Sequence, residues 1–182
     1  NATDRLGYII KDVDLITEFE TGVTNLKIEK FDLCKLIRDL VDSFEIKMKE
    51  KGIEITYEFG NNKSIFVNAD NFRITQVMSN LIVNSLNYGV ENGSIEIITK
   101  NLSKEKLLVR IIDNGQGIPE DDLPRIFERF YRVDKTRNRQ EGGSGLGLAI
   151  VKHIVEAHNE IVYVESSLNV GSEFSFTLTK SN

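Results

Sequence analysis

Cysteine is almost absent: Cys34 is the one example in 182 residues, so neither a disulfide framework nor a Cys-rich metal site can form. Two histidines, His153 and His158, are too few for most zinc chemistry. No apolar run approaches the ~20 residues needed to span a bilayer, and no signal peptide opens the chain. Basic residues are in the minority, 23 Lys+Arg against 28 Asp+Glu, for a net charge of −5. That mild acidity argues against broad nucleic-acid binding, which needs a basic face. What is present is ordinary for a soluble globular chain, with 40% hydrophobic and 28% charged residues. The length suits one domain, or one domain plus an appendage, and buries roughly two-thirds of the unfolded surface. The first residue is Asn1 and not Met, so the sequence is expected to be a piece of something longer.

Residues 1 to about 22 carry apolar side chains at Leu6, Ile9, Ile10, Val13, Ile16 and Phe19, one stripe on a helix that Gly22 would end. Either this helix docks on its own core, or it is half of a bundle whose remainder lies outside the sequence. A second amphipathic helix is expected from Asp32, its N-cap, through Leu33, Leu36, Ile37, Leu40, Val41, Phe44 and Met48 to Gly52. Cys34 falls near that stripe as a core residue. From Ile53 to Phe59 the period changes to two, which is a half-buried strand. A short strand over 65–67, a helix over 71–88 capped by Asp70, and strands over 94–100 and 106–113 follow. A helix over 145–158 and strands over 161–165 and 173–179 complete the pattern. The fold class is α+β: a two-layer sandwich, a mixed sheet with helices packed on one face, preceded by an N-terminal helical segment.

Three clusters carry chemistry. On the helix of 71–88, Asn80 and Asn84 are four apart and share a face that Asn87 and Tyr88 continue, while Val77, Met78, Leu81, Ile82 and Leu86 fill the other side. Asparagine competes for backbone hydrogen bonds in mid-helix, so two on one face suggest a ligand, unless the face is simply solvated. An amide oxygen suits Mg²⁺ that already carries phosphates. The second cluster, Asp113-Asn114-Gly115-Gln116-Gly117-Ile118-Pro119, follows an apolar strand. Its glycines permit close approach to a planar ligand, and Asp113 could accept from an exocyclic amine such as that of adenine; a plain turn is the alternative. The third, Gly142-Gly143-Ser144-Gly145-Leu146-Gly147-Leu148, opens a helix and could cradle phosphate. It lacks the Lys-Ser/Thr ending of a P-loop and the preceding strand of a Rossmann turn. Arg132, Lys135, Arg137 and Arg139 precede it, in either a solvated loop or a lid whose cations meet phosphates.

Taken together, Asn80…Asn84, Asp113-x-Gly115-x-Gly117, Arg125-Ile126-Phe127-Glu128-Arg129-Phe130-Tyr131-Arg132 and Gly143-x-Gly145-x-Gly147-Leu148 resemble the N, G1, F and G2 boxes of sensor histidine kinases. The resemblance covers roughly residues 31–180, with residues 1–30 similar to the end of the second dimerisation helix and its linker. It implies the ATP-binding sandwich shared with gyrase, the Hsp90 chaperones and MutL over residues 31–182. By that resemblance Asn84 holds Mg²⁺, Asn80 assists at the phosphates, and Asp113 reads the adenine amine beside Gly117 and Ile118. Tyr88 lies near the nucleotide and Arg132 touches phosphate, while Gly143, Ser144, Gly145, Leu146, Gly147 and Leu148 border the lid with Lys135. Phe127, Phe130 and Tyr131 are expected to anchor the lid, and Gly171 to turn the chain into the last strand.

Two departures matter. Many members place Lys or Arg where Asn87 stands, which predicts weaker ATP binding unless Arg132 or a lid cation compensates. Members also often have Gly where Asn159 stands, a mild change because Asn tolerates the left-handed conformation. In the related ATPases the first position of the Asn80 box is glutamate, a base for water; asparagine cannot serve so. The resemblance therefore implies a kinase whose acceptor is a histidine on a dimerisation domain, in a homodimeric parent serving a response regulator receiver domain. Neither His153 nor His158 has the family acceptor's neighbours. The portion read here is expected to be cytoplasmic, with any membrane contact made through other parts of the parent. A nucleotide-sensing module that gates a partner surface is the alternative.

Overall fold

In the computed structural model, which describes residues 2–21, 25–133 and 144–181, a five-stranded mixed sheet carries helices on one face. The chain runs α1 (Ala2–Glu20), β1 (Ile28–Asp32), α2 (Leu33–Ser43), α3 (Glu45–Lys51), β2 (Glu54–Glu58), β3 (Phe66–Asp70) and α4 (Asn71–Tyr88). It continues through β4 (Ser94–Asn101), β5 (Lys106–Asp113), a 3₁₀ helix (Glu120–Arg125), α5 (Gly147–Ala157), β6 (Val162–Ser167) and β7 (Gly171–Thr179). Sheet order is β2-β4-β5-β7-β6, antiparallel except for the parallel β2–β4 pair. Alternation puts Leu107, Val109, Ile111 and Asp113 of β5 on the covered face, beside Ile95 and Ile97 of β4 and Phe174 and Phe176 of β7. Against them pack Ile74, Val77, Met78, Leu81, Ile82 and Leu86 of α4 and Ile150, Val151, Ile154 and Val155 of α5, all buried. The mixed sheet with helices on one face, preceded by a helix, is the fold expected from the sequence.

Local chemistry sets the ends of these elements. Asp32 caps α2 by accepting from the Cys34 N–H at 3.0 Å, and Asp70 caps α4 by accepting from the Arg73 N–H at 3.1 Å. Cys34 is fully buried. Asn159 takes φ +56, the left-handed turn that ends α5.

Three boundaries differ from the periodicity. The helix expected over 32–52 breaks at Phe44, whose N–H turns back to the Val41 carbonyl at 2.9 Å; the bend keeps the ring in the core. Strand β1 has no apolar alternation and forms because β3 pairs with it antiparallel, so the boundary expected at residue 30 falls inside a ladder. The apolar stripe of α1 is narrower than expected: Leu15 and Ile16 are buried and Ile9 is half-buried, while Ile10 and Val13 face solvent. The Leu6 and Phe19 side chains and Gly22 lie outside the described residues. The buried side of α1 packs on α5. Ion pairs flank it, Glu18 with Arg73 at 3.8 Å and Glu20 with Arg129, and Glu20 also lies 4.0 Å from His153.

Candidate functional site

The exposed side of α4 forms one wall of a cavity of about 220 Å³, lined by Asn80, Val83, Asn84, Asn87 and Tyr88. The core stripe on the opposite side of the helix fixes which face is free, so the four polar positions point together. Asn80 donates through Nδ2 to the Gly147 carbonyl at 3.4 Å, which ties α4 to the start of α5.

Strand β5 delivers Asp113 to the cavity floor, 7% exposed. Oδ2 accepts from Ser85 Oγ at 2.9 Å, and Oδ1 accepts from the backbone N–H groups of Gly115 at 3.0 Å and Ser172 at 3.3 Å. A carboxylate offers about four acceptor positions, so these three donors orient it and leave room for one more. Neither serine was legible as a site residue, although Ser85, fully buried within the apolar stripe of α4, is the visible anomaly. The turn that follows is clamped by the β6–β7 connection: Ile118 N–H donates to Ser166 Oγ at 2.8 Å, and the Gln116 carbonyl accepts from Asn169 N–H at 2.6 Å. Gly117 sits at φ +69, where an added Cβ would stand 2.0 Å from the Ser167 carbonyl oxygen, so only glycine fits.

The third wall comes from the segment before α5. Gly145 at φ +77 lies so close to Phe130 that a Cβ would meet its Cα at 2.9 Å, and its carbonyl accepts from Phe130 N–H at 2.9 Å. This contact joins the 125–132 segment to the glycine arc. Phe127 packs edge-on against Phe174 with ring centroids 6.4 Å apart. Tyr131 bonds to Asp122 through its hydroxyl, under the Arg125 guanidinium at 4.4 Å, and the bond to Asp122 pushes the phenol above its usual range. It also lines the cavity, a role beyond the anchoring expected of it.

Asn80, Asn84, Asn87, Tyr88, Asp113, Gly117, Ile118, Arg132, Ser144, Gly145, Gly147 and Leu148 thus surround one cavity. Gly115 stands behind it as a donor to Asp113, and Leu146 is buried beneath it. Lys135 and Gly143, with Arg137, Arg139 and Gly142, lie outside the described residues. Besides Ser172, the residues of the lining not assigned to the site from sequence are Asp12, Val83, Gln116, Ile126 and Val133.

The donor set fits a polyanion with its cation. The buried Nε of Arg132 has no hydrogen-bond partner among the described residues, an arrangement that suits an anionic ligand. No group of three or more His, Cys, Asp or Glu among the described residues could hold a metal by itself. A cation here would therefore depend on ligand oxygens as well as the amides of α4, since Mg²⁺ bound with phosphates keeps several waters and needs few protein ligands. No helix among the described residues is long and apolar enough to cross a membrane.

Comparison with known proteins agrees with this arrangement. Residues 69–182 match the family described as histidine kinase-, DNA gyrase B-, and HSP90-like ATPase. The chain is 35% identical over 179 residues to the sensor histidine kinase WalK of Bacillus subtilis, covering 98% of this chain and 29% of that protein. Among solved structures it resembles full-length ShkA in complex with AMPPNP, with TM-score 0.87 and 26% identity over 99% of this chain and 37% of ShkA. It also resembles histidine kinase ThkA in complex with the response regulator protein TrrA, with TM-score 0.76 and 28% identity over 98% of this chain and 49% of the solved one. The chain thus spans less than a third of the WalK relative's length.

Proposed function

Because the chain belongs to the histidine kinase-, DNA gyrase B-, and HSP90-like ATPase family, we propose that it is the ATP-binding catalytic portion of a sensor histidine kinase. It transfers the γ-phosphoryl of ATP to a histidine on a dimerisation domain, for relay to a response regulator receiver domain. The observation that carries this reading is the convergence of Asn84, Asp113 and Gly145 on one cavity. Residues 1–30 act as the end of the dimerisation helix and its linker, and residues 31–182 as the catalytic domain. The solvent-facing Ile10 and Val13 of α1 support a bundle partner for that helix.

Asp113 uses its remaining acceptor position for the adenine amine, and the apolar surfaces of Ile118 and Ile126 flank the base. Asn84 would present its amide oxygen to Mg²⁺, which would neutralise phosphate charge, and Asn80 would assist at the phosphates. Arg132 donates to phosphate, joined by Lys135 and by the backbone at Gly143, Ser144, Gly145, Gly147 and Leu148, while Tyr88 and Asn87 border the nucleotide. Asn80 stands where a water-activating carboxylate would be needed, and a carboxamide accepts no proton, so hydrolysis is slow and transfer waits for an imidazole.

That imidazole comes from another segment. His158 accepts from the Asp70 N–H at Nε2 at 3.0 Å and faces the Ile154 carbonyl through Nδ1 at 2.8 Å, so both nitrogens are engaged. His153 lies beside Arg129 and Glu20 on α5, outside the cavity lining, where burial holds its pKa below the ordinary value. This portion belongs in the cytoplasm with its response regulator, and other parts of the parent carry any membrane contact. The solved ThkA–TrrA complex supports that partner class. Asn87, where many relatives carry a cation, favours a second reading: a weak module that binds nucleotide to gate a partner. One experiment separates them. Supplied in trans with a dimerisation domain bearing its acceptor histidine, the chain yields acid-labile phosphohistidine from Mg-ATP; silence while nucleotide demonstrably binds refutes the kinase reading.

A further inference from the structure

Among the described residues of helix α1, Asp12 lines the cavity. The placement follows from packing. Glu18 of α1 reaches Arg73 near the start of α4, and six residues earlier along α1, about 9 Å at helical rise, Asp12 arrives at the level of Asn80, seven residues further along α4. The two helices therefore run in opposite senses past one another. Asp12 lies on the same face of α1 as Ile9 and Ile16, at spacings of three and four, so the helix cannot bury Ile16 against α5 without carrying the carboxylate inward.

Asp12 has no hydrogen bond or ion pair among the described residues, and burial pushes its carboxyl above its usual range. A half-buried carboxylate without a counter-charge is unfavourable unless a cation meets it. The neighbouring wall of α4 offers three neutral carboxamides, Asn80, Asn84 and Asn87, and Mg²⁺ held with phosphates usually takes one or two protein carboxylates.

We propose that Asp12, carried in by the docked α1, is a carboxylate ligand, direct or through water, of the divalent cation that accompanies the nucleotide. The inference rests on the nucleotide reading above. It makes the docking of α1 and the binding of the metal–nucleotide complex mutually supporting, because the helix brings a ligand that the catalytic domain lacks.

The test is calorimetric titration of the full 182-residue chain with ATP, in Mg²⁺ and in EDTA, for the unaltered protein, Asp12→Asn and Asp12→Glu. Asp12→Asn is expected to lower the Mg²⁺-to-EDTA affinity ratio by about tenfold or more, the usual effect of losing a residue that supports a metal. Metal-free ATP binds it no worse, and Asp12→Glu retains part of the magnesium effect. Titration of Mn²⁺ into the ATP complex, read by electron paramagnetic resonance, should show the same weakening in Asp12→Asn. An unchanged ratio overturns the proposal. So does tighter Mg-ATP binding by Asp12→Asn, which would make Asp12 a repulsive gate and not a ligand. Failure of the unaltered chain to bind ATP at all overturns the nucleotide reading as well, whereas normal binding with an Asp12-independent magnesium effect overturns this inference alone.

Discussion

Asp113→Asn separates recognition of the base from recognition of the phosphates. Oδ1 of Asp113 takes two backbone N–H groups, from Gly115 and Ser172, neither of which can reverse its polarity. The asparagine must therefore place its oxygen there and its NH₂ group where Oδ2 stood. Ser85, which donates to Oδ2 at 2.9 Å, can rotate its hydroxyl to accept instead, so folding loses no more than about 1 kcal/mol. Toward a nucleotide, however, an atom that accepted from the adenine amine now presents hydrogens. A hydrogen bond to a charged acceptor contributes about 1.5–3 kcal/mol. ATP affinity should accordingly fall about 10- to 150-fold. Inorganic tripolyphosphate has no base and should bind the variant as it binds the parent. Parallel calorimetric titrations with both ligands in Mg²⁺, together with a thermal unfolding scan, decide the matter. Equal weakening of the two ligands would show that Asp113 does not read the base, and a large drop in the unfolding midpoint would show that its role is structural.

Asn87→Lys should tighten ATP by up to ~1–3 kcal/mol through a charge-assisted hydrogen bond to phosphate, read in the same titration; unchanged or weaker binding would mean that this face of α4 does not meet the phosphates. Glu160 offers a pH test away from the site. It accepts from Lys106 Nζ at 2.6 Å, Thr179 Oγ1 at 2.7 Å and Thr177 Oγ1 at 2.5 Å. Burial opposes its ionisation, but the bonds from Lys106, Thr177 and Thr179 outweigh burial and hold its pKa below the usual glutamate range. A carboxyl with a depressed folded-state pKa stabilises above its unfolded pKa and loses that contribution as pH falls through the folded value. Glu160→Gln should therefore cost ~1–3 kcal/mol at neutral pH, with the gap to the parent closing below about pH 4. A gap that stays constant in unfolding experiments down to acid pH would exclude this linkage.

The parts of the fold that were legible in the sequence are those whose burial leaves a period. Helix α4 could be read residue by residue because Val77, Met78, Leu81, Ile82 and Leu86 all turn to the core, which fixed the polar face before any coordinates. Strand β1 was illegible because three of its five residues are not apolar and the two that are, Ile28 and Phe31, do not alternate; its conformation comes from pairing with β3, a contact distant in sequence. The break at Phe44 leaves no turn residue behind, since Phe44 keeps its place in the apolar stripe. At the site, glycines and amides announced themselves by being costly where they stand. The residues that orient Asp113 were hidden because a serine is unremarkable at any position, and Asp12 because the reading treated its helix only as a packing element. In both cases the sign was the same: a polar residue inside an apolar stripe, Ser85 on α4 and Asp12 on α1.

The charge inventory of the cavity bears on which reaction it supports. Among the described residues that line it, Asp12 and Asp113 are acidic and Arg132 is the one fixed cation. On the proposed reading, a divalent cation arriving with the triphosphate would offset the two carboxylates. The amides of Asn80 and Asn84 would hold that unit without taking up a proton. An enzyme built to hydrolyse would need a base where these carboxamides stand. Neutral amides beside the nucleotide, with no histidine among the described residues that line the cavity, favour a γ-phosphoryl kept intact until another domain presents an imidazole. Because α1 both borders the cavity through Asp12 and forms part of the proposed dimerisation segment, its position would report to that domain whether the nucleotide is in place.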